Sequence, residues 1–165
     1  MALSASLETP SVTITHAVTP ELVRFFRSLA SELIDGYGFD LSFQGVKEEL
    51  ANLPGEYAPP KGALVLAFVN GLAAGCVAMR PLSEGYCEMK RLYVRTDYRR
   101  FHIGRILCKE LMDTARKQGY KAMRLDTRGS MMQTAIRLYE SLGFYEIPPY
   151  NDAPFEDMHY MECKL

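Results

Sequence analysis

The chain lacks any stretch able to cross a bilayer. Its longest apolar run lies around Ala63–Val69, far short of the roughly 20 residues a spanning helix needs. It also lacks a strong field of either sign: with 19 Lys and Arg against 20 Asp and Glu, the formal net charge is −1. That gives no long-range pull on nucleic acid or an anionic membrane, and no basic stripe with interleaved aromatics is present. Met1–Pro10 has no basic residue and no long apolar block, so it does not read as a secretory signal, and a cytoplasmic protein is expected. The four cysteines, Cys76, Cys87, Cys108 and Cys163, form no CxxC pair and have no histidine at metal-ligand spacing. Reduced, mostly buried thiols and no metal are expected. The phosphate-binding patterns GxxxxGK and GxGxxG are both absent, which argues against P-loop and dinucleotide sites.

What is present is a patterned chain of 165 residues, long enough for one packed domain. Residues 1–10 read as a flexible tail and 11–165 as a single domain. Val12–His16 alternates and is β-branched, which predicts a strand. Thr19 and Pro20 read as N-cap and first helical residue, and Leu22, Phe25, Phe26, Leu29 and Leu33 continue at helical spacing to a stop at Gly36 and Gly38. A short helix is predicted near Val46–Leu50. After a Pro- and Gly-rich loop, Ala63–Val69 and Leu72–Arg80 read as strands joined by an Asn70-Gly71 hairpin turn, and Tyr86–Val94 as the next strand. Ile103, Ile106, Leu107, Leu111 and Ala115 then mark one face of a helix ending at Gly119. Lys121–Asp126 reads as a strand. Ser130 and Gln133 have capping-box spacing for a helix closed by Gly143. Phe144–Ile147 and Asp157–Leu165 are predicted as the last strands. The order β α α β β β α β α β β implies an α+β fold, a mixed sheet with helices on its faces.

The stretch from Cys87 to Leu107 combines a strand, a basic turn and a helix start. The first amides of a helix lack internal partners and, with the helix dipole, bind phosphate oxygens. Arg99, Arg100 and Arg105 add full positive charges suited to phosphate. An ordinary solvated basic turn is the alternative.

Arg99-Arg100-Phe101-His102-Ile103-Gly104 resembles the R/Q-x-x-G-x-G/A signature of the GCN5-related N-acetyltransferase (GNAT) superfamily. Ala135 to Phe144 is similar to its A-x-x-x-Y-x-x-x-G-F segment, and the two lie in the family's order and separation. The resemblance covers roughly residues 11–165 and extends to small bacterial members. It implies a central, mostly antiparallel twisted sheet of six or seven strands with a splayed parallel pair and about four helices. It implies acetyl-coenzyme A as the cofactor, its pyrophosphate on the turn from Arg99 and Arg100 through Phe101, His102, Ile103 and Gly104 to Arg105. Its pantetheine arm would lie along Tyr93 and Val94, in a gap between the two parallel strands, with Thr127, Met132 and Tyr139 lining the rest. His102 stands where the family has its first glycine; its ring is expected to face the phosphates, with a histidine merely tolerated at the rim as the alternative. Met132 stands where many members have an asparagine that bonds the pantetheine arm, so that contact is lost or supplied otherwise.

The implied reaction is direct attack of a primary amine, of a small molecule or peptide, on acetyl-coenzyme A in a ternary complex. Such a transfer needs a base for the amine, a donor for the oxyanion and a proton for the thiolate. Glu88, eleven residues before Arg99, resembles the family's glutamate base; a surface glutamate paired with Lys90 or Arg91 is the alternative. Strand alternation puts Glu88, Lys90 and Leu92 on one face and Met89, Arg91 and Tyr93 on the other. Tyr139 matches the family tyrosine near the coenzyme sulfur and is the candidate general acid, or else a half-buried helix aromatic. The family implies a backbone amide at Val94 or a neighbour as oxyanion donor. Arg80, Lys90, Arg91 and Arg128 are the candidate acceptor-binding residues. If two or more point inward, the acceptor carries a carboxylate or phosphate beside its amine. Pro148–Asp152 is a candidate cleft wall. Family analogy also allows a homodimer through a sheet edge or the last strand. The competing class is a non-catalytic acyl-coenzyme A sensor or structural module.

Overall fold

The computed structural model describes residues 9–38, 45–130 and 132–165. Most of the expected N-terminal tail, residues 1–8, lies outside them. Among the described residues the order is β1 (Val12–His16), α1 (Pro20–Tyr37), α2 (Val46–Ala51), β2 (Ala63–Val69), β3 (Leu72–Ser83), β4 (Tyr86–Val94), α3 (Ile103–Lys117), β5 (Ala122–Arg128), α4 (Gln133–Ser141), β6 (Tyr145–Glu146) and β7 (Met158–Lys164), with short 3₁₀ helices at Gly55–Tyr57 and Thr96–Phe101. The strands form one seven-stranded sheet in the order β1-β2-β3-β4-β5-β7-β6. Every pairing is antiparallel except β4 with β5. This is the mixed α+β architecture the element order predicts.

Local chemistry accounts for most boundaries. The Thr19 hydroxyl accepts from the Leu22 amide at 3.3 Å and Pro20 occupies the first turn of α1. Gly36 does not stop that helix, which runs on to Tyr37. Gly38, at φ 68°, ends it in the left-handed conformation that favours glycine. Asn70 and Gly71 both have positive φ, as a tight two-residue hairpin turn requires. Ile103, Leu107, Leu111 and Ala115 are fully buried along α3, each large side chain contributing about 1.5–3 kcal/mol by leaving water. They pack on one sheet face with Val65, Val77, Met89 and Met123. Phe26 and Leu29 of α1 cover the opposite face with Leu66 and Cys76.

Two predictions fail locally. Ser130 does not cap α4: that helix begins at Gln133 behind Met132, without a side-chain cap bond. The Ser130 hydroxyl instead donates to Asp157, so a partner 27 residues on outcompetes the local cap. And β5 runs through Thr127 and Arg128, which places Arg128 in the strand rather than in the loop after it. The last strand, β7, lies between β5 and β6, so the sheet's outer strands are β1 and β6.

Candidate active site

The site is built where β4 and β5 part. Their parallel pairing covers only Tyr86 with Ala122, Cys87 with Met123 and Glu88 with Arg124. Beyond that β4 continues to Val94 and β5 to Arg128 without pairing each other, which opens the gap the sequence resemblance implies. Two cavities share it. An apolar one of about 100 Å³ is lined by Met89, Leu92, Thr127, Met132 and Tyr139. A polar one of about 420 Å³ is lined by Arg80, Glu88, Asp126, Asn151 and Asp152. Lys90, Arg91 and Asp126 border both.

Strand alternation does not hold through β4. Ala78 of β3 faces Lys90 while Cys76 faces Tyr93, so Val77 stands opposite both Arg91 and Leu92. This is a β-bulge, with Arg91 at φ 62°. Met89 before the bulge and Leu92 and Val94 after it all pack toward α3, whereas Tyr93 packs with the α1 cluster. Leu92 therefore leaves the face assigned to it, and Glu88, Lys90 and Arg91 come together on the other.

Glu88 is 2% exposed and closely held. Its Oε1 accepts from Arg80 Nε and lies 3.0 Å from Arg80 Nη2; its Oε2 accepts from the Tyr150 hydroxyl at 2.7 Å. It is a buried, hydrogen-bonded carboxylate with Arg80 as its partner, not a surface glutamate paired with Lys90 or Arg91. Burial and the Glu88 charge push the Tyr150 phenol far above its usual range, so it stays a donor to Glu88. Arg80 also bonds Glu56 at 2.9 Å. Arg91 donates to Glu49 of α2 at 2.9 Å, and Glu49 accepts a second bond from the Tyr57 hydroxyl at 2.6 Å. Burial pushes the Glu49 carboxyl up, but the Arg91 guanidinium and the Tyr57 hydroxyl outweigh it and hold it below the usual range. Lys90 is equally enclosed. Burial draws its ammonium below the usual lysine range, against the opposing pull of Glu88 and Asp126.

Arg128 lines the apolar cavity but takes no part in the Glu88 and Glu49 pairings. It forks onto Asp157 at 3.0 and 3.2 Å and stacks on Phe155. Ser130 and Arg128 together hold Asp157 down to about 2. Tyr139 is buried at the apolar cavity against Phe144. Burial raises its phenol well above the usual value. Tyr150, Asp126, Asn151 and Glu49 are the components that sequence reasoning missed, although Tyr150 and Asn151 fall in the segment expected to form a cleft wall. The pairing of a hydroxyl with the strand carboxylate has no local signature, because Tyr150 and Glu88 are 62 residues apart.

The basic turn is more elaborate than a strand running directly into a helix. A 3₁₀ turn, Thr96–Phe101, comes first, and His102 at φ 57° and ψ 29° links it to α3. Histidine adopts here the left-handed backbone that glycine takes most readily. The first α-helical bond runs from the Ile106 amide to the His102 carbonyl, so the Ile103, Gly104 and Arg105 amides precede it and have no α-helical partner. Arg99, Arg100 and His102 are exposed around them. This cluster of amides and cations suits a pyrophosphate. Arg105 bonds Ser141 on α4 at 3.0 Å. Arg99 donates to the Val94 carbonyl at 3.0 Å.

Residues 26–144 match the acetyltransferase (GNAT) family. An uncharacterized N-acetyltransferase of Schizosaccharomyces pombe is 39% identical over 157 residues, covering 94% of this chain and 96% of the relative. The probable N-acetyltransferase camello of Xenopus laevis is 32% identical over 80% of this chain and 66% of its own length. Among solved structures, a GNAT acetyltransferase of Staphylococcus aureus superposes with a TM-score of 0.77 at 19% identity, covering 93% of this chain and 99% of its own. An N-acetyltransferase of Thermoplasma acidophilum in complex with coenzyme A superposes at 0.71 and 17% identity, covering 94% and 99%. The structural likenesses show the fold. With the family match and the close yeast relative, they establish that this chain belongs to the GNAT acetyltransferase family.

Proposed function

We propose that the protein transfers the acetyl group of acetyl-coenzyme A to a primary amine by direct attack in a ternary complex, within the cytoplasm. The observation that carries this reading is the opened β4–β5 gap, with a buried carboxylate, Glu88, lining its polar cavity and a buried phenol, Tyr139, lining its apolar one. Acetyl-coenzyme A supplies the thioester whose acyl carbon receives the amine. The exposed Arg99 and Arg100, with Arg105 and the Ile103, Gly104 and Arg105 amides, hold its pyrophosphate, and Thr127, Met132 and Tyr139 border the far end of its arm. His102 sits at the rim of the phosphate site. Met132 offers apolar contact in place of an amide hydrogen bond.

Glu88 serves as the base. A carboxylate has about four lone-pair sites; Arg80 and Tyr150 engage three, which leaves one for the amine or a bridging water. Arg80 and Tyr150 act by fixing that carboxylate. The Tyr139 phenol, kept protonated by burial, gives its proton to the leaving sulfur as the C–S bond breaks and the C–N bond forms. A backbone amide at the bulged end of β4, Val94 or a neighbour, serves the developing oxyanion.

The test pairs calorimetric titration of acetyl-coenzyme A against ATP with thiol release in an amine panel. Saturable binding of acetyl-coenzyme A, weaker binding of ATP, loss on Arg99→Ala, and amine-dependent thiol release are expected. Binding without release for any amine would favour a non-catalytic acyl-coenzyme A module. Absence of binding would contradict the reading at its root.

A further inference from the structure

The cations of the cleft differ in how far the protein has already neutralised them. Arg80 is bonded to Glu56 and Glu88, Arg91 to Glu49 and Arg128 to Asp157, all at 2.9–3.0 Å. Lys90 is different. Its Nζ lies 4.0 Å from Asp126 Oδ1, beyond hydrogen-bond distance, and among the described residues the ammonium makes no hydrogen bond. Its side chain is only 7% exposed. Asp126 is drawn the other way, its Oδ2 accepting from Asn151 Nδ2 at 2.7 Å. An ammonium carries three N–H donors and is costly to bury without acceptors. Lys90 borders both cavities, so its head group stands where an acceptor in the polar cavity would meet an acyl group in the apolar one.

Resting on the transfer reading above, we infer that the acceptor is a small amino acid-like zwitterion, an amine with a carboxylate a few bonds away, and that Lys90 holds the carboxylate. Glu88 and Lys90 point to the same face of β4 two residues apart, about 7 Å along a strand, so one small molecule can present its amine to Glu88 and its carboxylate to Lys90. Arg80, Lys90 and Arg91 stand with Glu88, Asp126 and Asp152 around the polar cavity. Arg80 and Arg91 are already bonded to Glu56, Glu88 and Glu49, which leaves Lys90 as the cation there with no hydrogen-bonded carboxylate among the described residues. The volume of about 420 Å³ suits an amino-acid-sized guest. Burial lowers the proton affinity of Lys90 against the pull of Glu88 and Asp126, and a bound carboxylate within hydrogen-bond distance would offset that burial.

The experiment measures kcat/KM by thiol release for glycine against glycinamide and β-alanine against its amide, corrected for the fraction of free amine, with O-phosphoethanolamine as the phosphate arm. In the wild-type protein at least one acid is expected to exceed its amide by about tenfold or more, the scale of one charge-assisted contact. Lys90→Met is expected to bring that ratio close to one, and Lys90→Arg to retain part of it. Equal rates for acid and amide, a faster phosphoethanolamine, or a preference that survives Lys90→Met would each overturn the assignment. If Lys90→Met does not fold, the wild-type pairs and Lys90→Arg decide. If amides react as well as acids, acetyl transfer stands and only this assignment falls. If acetyl-coenzyme A binds but no amine is acetylated, the transfer reading fails and this inference with it.

Discussion

Cys87, Met89, Leu92 and Val94 turn toward α3 and pack among apolar side chains, whereas Glu88, Lys90 and Arg91 turn the other way into a network of charges. The two faces belong to one strand of nine residues and share its backbone, yet they answer to different physics. The first gains stability by leaving water. The second gives up hydration for a few directed bonds, a poor exchange for stability but one that orders charged groups in a buried place. The bulge at Arg91 keeps the faces separate, by letting two consecutive charged residues avoid the core.

Substitutions should divide along the same line. The largest expected effect lies on the apolar side: Leu107→Ala, at a fully buried position, should lower unfolding free energy by about 3–5 kcal/mol in urea titration. On the charged side Glu88→Gln should lower kcat about a hundredfold or more, near 3 kcal/mol at the barrier, with a smaller loss of stability. Glu49→Gln removes the carboxylate beside Arg91 and should cost about 2–3 kcal/mol, the range for a hydrogen bond to a charged group. Because Glu49 titrates below its ordinary 4.5 in the folded protein, its contribution is complete above that value and is lost as pH falls through the lower folded one. The acid limb of the stability curve should therefore be shallower in Glu49→Gln than in wild type. Tyr150→Phe deletes one hydrogen bond to Glu88 and should cost about 1 kcal/mol, read as a several-fold fall in kcat and a shifted pH–rate profile. His102→Gly, which exchanges left-handed strain for glycine's unfolded freedom, should change stability by less than about 1 kcal/mol in the same urea titration.

Much of the fold was legible because its signals are local. The Asn70-Gly71 turn, the apolar face of α3 and the Thr19-Pro20 start of α1 each need only neighbouring residues, and the turn-plus-helix pattern from Arg99 to Phe144 carried the family. What the sequence hid depends on contacts far along the chain. The capping box at Ser130 is sound chemistry that loses to Asp157. The alternation through β4 fails because β3 supplies one residue opposite two. Tyr150 reaches Glu88, and Glu49 reaches Arg91, only after the sheet has formed. Arg80, Arg91 and Arg128 each border at least one of the two cavities, but their pairing with Glu49, Glu56, Glu88 and Asp157 is not readable from spacing.

The central claim is that Glu88, on the charged face of β4, is the base of the transfer while the basic turn only holds the cofactor. The most direct test is single-turnover thiol release by wild type and Glu88→Gln at saturating acetyl-coenzyme A, with calorimetry on both. The account predicts equal acetyl-coenzyme A affinity within about threefold, since near-uniform binding leaves less than 1 kcal/mol between them, and a rate about a hundredfold lower for Glu88→Gln. A variant that binds acetyl-coenzyme A and releases thiol as fast as wild type would contradict it.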